Sequence, residues 1–213
     1  MMKLSLSLVI LAAWIPWALA HENHATTAKP SEPSKSSRAE SPSLDREAKQ
    51  RNYFTDLELV NQDGRKVLFY TDILKDRVVL INFFFANCVE ACPLQSKVLA
   101  DLQPMLGDRL GKEIFLISVG VDPERDGPVA MKKYAEKFGP QHGWIFLSGK
   151  KDHVNHILYK LGQYNENIEE HSTAYILGNA KTDRWKKVRP NATANVLATL
   201  LLGLAEENGG VAK

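Results

Sequence analysis

The stretch Val78–Pro93 reads VVLINFFFANCVEACP, and it decides the fold of the chain. Its first eight residues are apolar except for Asn82, which predicts a strand buried on both faces. The chain's two cysteines, Cys88 and Cys92, follow this strand, and Pro93 is a residue type favoured at the first position of a helix. Apolar residues then recur at helical spacing, so the cysteines lie where a buried strand gives way to a helix.

Cysteines at the start of a helix are expected to ionise readily, because free N–H groups and the helix dipole favour thiolate over thiol. Cysteines four positions apart can close a small disulfide, exchange electrons with other thiols, or bind a soft metal ion. Two buried, purely structural cysteines are the fourth possibility. The exposed turn expected here favours the three chemical roles.

Composition limits the class of protein. The chain has 213 residues, 44% of them hydrophobic, and a net charge of +2. This length allows one domain of ordinary size with additional segments. The charge gives no basis for nucleic-acid binding, and two cysteines are too few for a disulfide-stabilised scaffold.

The N-terminal segment predicts export. Residues 1–20, MMKLSLSLVILAAWIPWALA, combine Lys3, an apolar core and an A-x-A site that ends at Ala20, as in a secretory signal peptide. Cleavage there predicts a periplasmic or otherwise exported protein, whereas an uncleaved segment would anchor the chain to a membrane through residues 4–19. An exported cysteine pair meets an oxidising environment, so it must be actively reduced or must cycle.

Residues 21–50 are rich in proline, serine and charge, and they are expected to form a disordered linker. His21, which would become the N-terminus, and His24 either bind copper or are an incidental polar start. A single folded domain is expected over residues 51–206, with a flexible tail over residues 207–213.

Strand and helix patterns alternate through the folded domain. The predicted elements are a hairpin (57–61 and 66–70), strand 78–85, a helix to about 106, strand 113–121, helix 128–138, strand 144–147, helix 150–161, strands 173–178 and 185–188, and helix 192–206. These elements indicate an α/β fold with a mixed sheet. Sites in such sheets lie at the carboxyl ends of strands, where both the cysteine turn and Asp122 are expected.

One histidine is placed to face the cysteines. His171 directly precedes the strand 173–178, and in a thioredoxin-type arrangement the loop entering this strand packs against the cysteine turn. The other histidines of the folded part are expected in a loop or near a helix surface: His142, His153 and His156.

Three segments, FFFANCVEACP, LISVGVDPERDGP and EEHSTAYILGN, resemble the Sco/SenC family of copper chaperones in order and spacing. The resemblance covers residues 53–206. It implies a thioredoxin-like three-layer sandwich with a mixed central sheet and an N-terminal β-hairpin. It further implies copper, as Cu(I) with Cu(II) accessible, bound by Cys88, Cys92 and His171, with Asp122 supporting the site.

The resemblance also implies a role. Family members help to assemble the binuclear copper centre of cytochrome c oxidase, so the expected protein is a monomeric metallochaperone rather than an enzyme. Its partners would be a copper-receiving client such as an oxidase subunit, and a copper donor or thiol reductant. Ala86 and Val89 stand where many members have Thr or Ser and Pro, and neither change removes a ligand.

The alternative function is a thiol-disulfide oxidoreductase that uses Cys88 and Cys92 as a redox-active pair to keep a client's copper-ligand cysteines reduced. Enzymes of that type typically have CxxC and a proline just before the facing strand. Here the spacing is CxxxC and His171 is followed by Ser172 and Thr173, so both differences favour a metal site. Zinc would more usually require a fourth ligand, and a peroxidase would require Thr before its reactive cysteine.

Overall fold

The computed structural model describes residues 42–207. The strands are β1 (Glu58–Asn61), β2 (Lys66–Leu68), β3 (Val78–Phe84), β4 (Ile114–Gly120), β5 (Trp144–Gly149), β6 (Tyr175–Asn179) and β7 (Arg184–Val188). The helices are α1 (Pro42–Phe54), α2 (Ala91–Leu106), α3 (Pro128–Glu136), α4 (Lys151–Lys160) and α5 (Ala194–Glu206). A π-helical segment, Phe69–Leu74, and 3-10 turns at Gly107–Arg109 and Ile168–Glu170 complete the list.

Three predicted features lie outside the described residues: the signal peptide 1–20, the histidines His21 and His24, and the tail beyond residue 207. Within residues 42–207, no helix combines the length and apolar character needed to cross a membrane.

The sheet is mixed, as predicted. Its strand order is β2-β1-β5-β4-β3-β6-β7, with β3, β4 and β5 parallel to one another. The hairpin β1–β2 pairs antiparallel with β5, and β6 pairs antiparallel with β3 and β7. The predicted Asp-Gly turn closes the hairpin, where Gly64 has a φ of 77°, a conformation that glycine adopts without steric cost. This arrangement places β3 at the interior of the sheet.

Two hydrophobic cores lie on opposite faces of the sheet, so the fold has three layers. One core joins the sheet to α2, α3 and α5, and the other joins it to α1, α4 and the π-helical segment. Successive side chains of a strand point to opposite faces, so Phe84 packs in the first core and Phe83 in the second. All seven residues of β3 are therefore buried, as the apolar run predicted.

Asn82, the polar residue of this run, is held by a network across three strands. The hydroxyl of Ser118 on β4 donates to Asn82 Oδ1 at 2.7 Å, and Trp144 Nε1 on β5 donates to Ser118 Oγ at 2.9 Å. Hydrogen bonding offsets the cost of burying these polar groups. The network therefore links the strand that leads to the cysteines with its parallel neighbour β4 and, beyond it, with β5.

The prediction of a disordered linker over residues 21–50 is wrong at its C-terminal end, because helix α1 begins at Pro42. Distant contacts hold this polar helix in place. Arg46 donates to the carbonyl of Lys181 at 2.7 Å, and the buried Gln50 donates through Nε2 to the carbonyl of Ala180 at 2.9 Å. Such long-range bonds compensate for the weak apolar stripe of the helix.

The second hairpin strand is also shorter than predicted. It ends at Leu68, and the π-helical segment Phe69–Leu74 follows instead of two further strand residues. Asp72 accepts a hydrogen bond from the backbone N–H of Leu68 at 2.7 Å, which closes the chain into this segment. The segment turns four apolar side chains into the core: Phe69, Tyr70, Ile73 and Leu74.

Candidate metal centre

Both cysteines are reduced and lie at the carboxyl end of β3, where the sequence placed them. Cys88 is partly exposed in the loop, whereas Cys92 is fully buried in the first turn of α2. The N–H of Cys92 donates to Cys88 Sγ at 3.4 Å, and the N–H of Cys88 donates to the carbonyl of Phe85 at 3.0 Å. The strand end and the helix start thus bring the two thiols together.

Cys92 does not favour the thiolate, so the expectation of an easily ionised thiol at the helix start is wrong for this residue. Burial, with a smaller contribution from the hydrogen bond with Cys88, raises its pKa to about 12, although the backbone of Phe85 acts in the opposite direction. Desolvation disfavours a charged sulfur more strongly than the helix start favours it. Cys92 therefore holds its proton until a metal ion or a disulfide replaces it.

This difference predicts selective alkylation of the cysteine pair. The reduced protein treated with iodoacetamide at neutral pH should be modified at Cys88 at least about tenfold faster than at Cys92, because the exposed thiolate is the reactive species. Tandem mass spectrometry of the tryptic peptide 78–97 measures both rates. Unfolded protein is the control, in which both thiols should react at similar rates. Equal rates in the folded protein would contradict the burial argument.

His171 is buried, with 8% of its surface exposed, and it follows the 3-10 turn Ile168–Glu170. Its Nδ1 lies 2.7 Å from the carbonyl oxygen of Ile168. A carbonyl can only accept, so Nδ1 carries the proton and Nε2 keeps its lone pair. Nε2 is buried and has no hydrogen-bond partner in the structure. This orphaned nitrogen is competent to bind a metal ion, with the ring oriented by the bond at Nδ1.

Asp122 shares a cavity with the histidine. Both residues line a cavity of about 110 Å³ formed by the loop after β4, helix α4 and the segment before β6. The carboxylate of Asp122 is buried and forms an ion pair with Nε of Arg125. The predicted supporting residue is therefore near His171, and its charge is already compensated by an arginine.

Phe85 connects the two halves of the predicted site. Its carbonyl accepts from Cys88, and its ring packs edge-on against the imidazole of His171 with centroids 5.6 Å apart. Within residues 42–207, however, no three His, Cys, Asp or Glu side chains are grouped closely enough to hold a metal ion. The structure brings Cys88 and Cys92 together and does not gather His171 with them into one ligand set.

Asp126 is a residue of this site that sequence reasoning did not single out. It is buried, its Oδ1 accepts from the N–H of Ala86 at 2.8 Å, and its Oδ2 accepts from the N–H of Asp122 at 3.2 Å. Burial raises its pKa to about 6. Asp126 thus ties the loop after β4 to the cysteine loop. The signal available in the sequence was a further aspartate four residues after Asp122.

Comparison with known proteins agrees with this geometry. Residues 45–201 match the family model SCO1/SenC. The SCO1 protein homolog of Bacillus subtilis is 38% identical over 90 residues, which cover 42% of this chain and 45% of that protein. The chain spans about half the length of the curated relatives it matches.

Two solved structures share the fold. BsSco, described as a member of the Sco family of cytochrome c oxidase assembly proteins with a disulfide switch, has a TM-score of 0.61 and 25% identity, covering 72% of this chain and 93% of its own. Yeast Sco1 with copper bound has a TM-score of 0.59 and 20% identity, covering 73% of this chain and 92% of its own. The thioredoxin-like fold of these proteins is the fold of this chain, and with the matched family model it shows that the chain belongs to the SCO1/SenC family.

Proposed function

We propose that this protein is an exported copper metallochaperone. It binds copper through Cys88, Cys92 and His171 and delivers it to a copper protein, such as the copper centre of a cytochrome c oxidase. The observation that carries the proposal is a reduced cysteine pair linked through Phe85 to a buried imidazole with a free Nε2. Two soft sulfurs and an imidazole suit Cu(I), and the membership of BsSco in a family of cytochrome c oxidase assembly proteins supports an oxidase client.

Copper loading requires a local rearrangement. The three ligands are not grouped in the metal-free arrangement, so the cysteine loop and the turn that carries His171 must approach each other. Loading must also displace the proton of Cys92, whose pKa burial raises to about 12. Metal binding is therefore coupled to proton release, and copper affinity falls as the pH falls.

Titration of the reduced protein with Cu(I), against a chromogenic chelator that competes for the ion, tests the proposal. One tightly bound Cu(I) per chain is expected, and X-ray absorption should show two sulfur ligands and one nitrogen ligand. Absence of tight binding, or a site without sulfur, would refute it.

The second candidate function is that of a thiol-disulfide oxidoreductase. The arrangement that favours it is an accessible Cys88 beside a buried Cys92 that holds its proton. In that role the Cys88 thiolate attacks a client disulfide, and Cys92 then displaces the reduced client to leave an intramolecular disulfide. Turnover of a disulfide substrate at thioredoxin-like rates by the metal-free protein, with no tight copper binding, would favour this function over copper delivery.

Replacement of His171 by alanine tests the third ligand. His171→Ala should retain Cu(I) on two thiolates with affinity lowered about tenfold or more, and should lose Cu(II), because imidazole is the ligand that suits the harder ion. Copper titration and electron paramagnetic resonance measure the two oxidation states. The control is His156→Ala on the exposed face of α4. Unchanged affinities together with an unchanged nitrogen signal would remove His171 from the ligand set.

Export is tested at the N-terminus of the native protein. Cleavage after Ala20 should give a chain that begins at His21 and is recovered outside the cytoplasm. Mass spectrometry of the protein purified from its natural source determines the terminal residue. An intact Met1 in the membrane fraction would instead identify residues 4–19 as an anchor.

A further inference from the structure

A groove open to solvent lies on the face of the sheet covered by α1 and α4. It runs between the end of α1, the end of α4 and the strands β6 and β7, and its volume is about 660 Å³. This size is typical of sites that bind ligands. None of its lining residues belongs to the cysteine loop or lines the cavity beside His171. The groove is therefore separate from the candidate metal centre.

The floor of the groove is apolar and firmly held. It consists of Phe54, Leu161, Ile176 and Trp185. The rings of Phe54 and Trp185 have centroids 4.7 Å apart. A Cβ atom at Gly178 would lie 2.1 Å from carbons of the Trp185 indole, so the indole rests directly on the backbone of β6. This close approach fixes the indole and leaves a rigid apolar surface.

The rim of the groove is positively charged. Four lysines line it, Lys49, Lys160, Lys186 and Lys187. Among the residues that the structure describes, Asp183 is the one acidic side chain in this lining, and it lies 3.6 Å from Lys49. The excess of lysines favours an anionic ligand and accelerates its association at low ionic strength.

We propose that this groove binds a peptide segment of a partner protein that carries acidic side chains around an apolar one. The apolar side chain packs on Phe54 and Trp185, and the carboxylates face the lysines of the rim. A partner held here leaves the cysteines accessible. This groove therefore supplies partner recognition at a surface distinct from the cysteine loop.

A fluorescein-labelled decapeptide that alternates Glu with Leu and Phe is the probe, and its binding is measured by fluorescence anisotropy. Tryptophan indole N–H resonances of the ¹⁵N-labelled protein report the site. The Trp185 resonance, assigned with Trp185→Phe, should move as the peptide binds. That of Trp144, whose Nε1 already donates to Ser118 at 2.9 Å, should stay in place.

A charge-reversal pair provides the matched control. Lys186→Glu with Lys187→Glu should weaken binding by about tenfold or more, whereas Lys132→Glu with Lys133→Glu on α3 should leave it unchanged. In each pair the two lysines are exposed and adjacent in the sequence, so the two double variants have the same net charge and differ only in the location of the change. Equal affinity of the two variants, or an unmoved Trp185 resonance, would overturn the proposal. Binding of anionic lipid vesicles but not of the peptide would also overturn it.

Discussion

Cys88→Ser is expected to lower the Cu(I) affinity of the reduced protein by more than about a hundredfold, because a neutral hydroxyl replaces a soft thiolate. Cys92→Ser should cause a loss of similar size. The measurement is competition with a chromogenic Cu(I) chelator, repeated from pH 6 to 8. In the wild-type protein the affinity should rise with pH across this range, since copper displaces the proton that burial holds on Cys92.

The matched control is Ser96→Ala. Ser96 is buried one turn after Cys92 on α2, where its hydroxyl lies 2.9 Å from that of Tyr134 and cannot serve as a soft ligand. Ser96→Ala should retain full copper affinity. Tight Cu(I) binding by both cysteine variants would show that the ion is held elsewhere, and it would contradict the proposed function.

Asp126→Ala is expected to lower the free energy of unfolding by about 2 kcal/mol, because the N–H groups of Ala86 and Asp122 lose their acceptor. The loss should depend on pH. Burial raises the pKa of Asp126 from 3.8 to about 6, so the folded state binds this proton more tightly than the unfolded chain does. The stabilising contribution is therefore fully present below about pH 4 and declines as the pH rises through about 6.

Denaturant unfolding of the wild-type protein and Asp126→Ala at pH 4, 5, 6 and 7 measures this effect. Asp108→Ala, at an exposed position, is the control and should change stability by less than about 0.5 kcal/mol. A difference between wild type and Asp126→Ala that grew with pH would contradict the sign derived from the raised pKa.

The strand that leads to the cysteines could be predicted from the sequence because its residue pattern is compatible with one type of structure. An eight-residue run that is apolar except for Asn82, followed by Cys88, Cys92 and Pro93, fits a buried central strand and a helix start. The strand was predicted at 78–85 and is observed at Val78–Phe84. The apolar run and the helical period that follows it are local properties of the sequence, so both elements could be predicted from it.

Helix α1 could not be predicted in the same way. Its sequence, PSLDREAKQRNYF, is largely polar, and it resembles the preceding linker in composition. Its place in the fold depends on bonds from Arg46 and Gln50 to backbone carbonyls more than 100 residues away. Such contacts leave no periodic pattern in the sequence. The acceptor is a backbone carbonyl, which every residue has, so the bond does not require a particular residue type at the partner position.

The chemistry of the candidate site was only partly predictable. The positions of the cysteine pair follow from local patterns, whereas the prediction of His171 depended on the family resemblance. The ionisation of Cys92 was misjudged because a helix start is visible in the sequence, while complete burial is a product of packing. Asp126 was overlooked for a similar reason, since its bond to the N–H of Ala86 spans 40 residues.

The central position of β3 has a consequence for native-state hydrogen exchange. Residues 78–81 pair with both β4 and β6, so their amides should exchange only when the whole domain opens. The loop that begins after Phe84 lacks such pairing and can open on its own. Cys88 is thus carried by a loop without strand pairing, whereas this loop is attached to a strand of high stability and to the helix that holds Cys92. Under the proposed function, copper would enter and leave by local opening of this loop while the sheet remains folded.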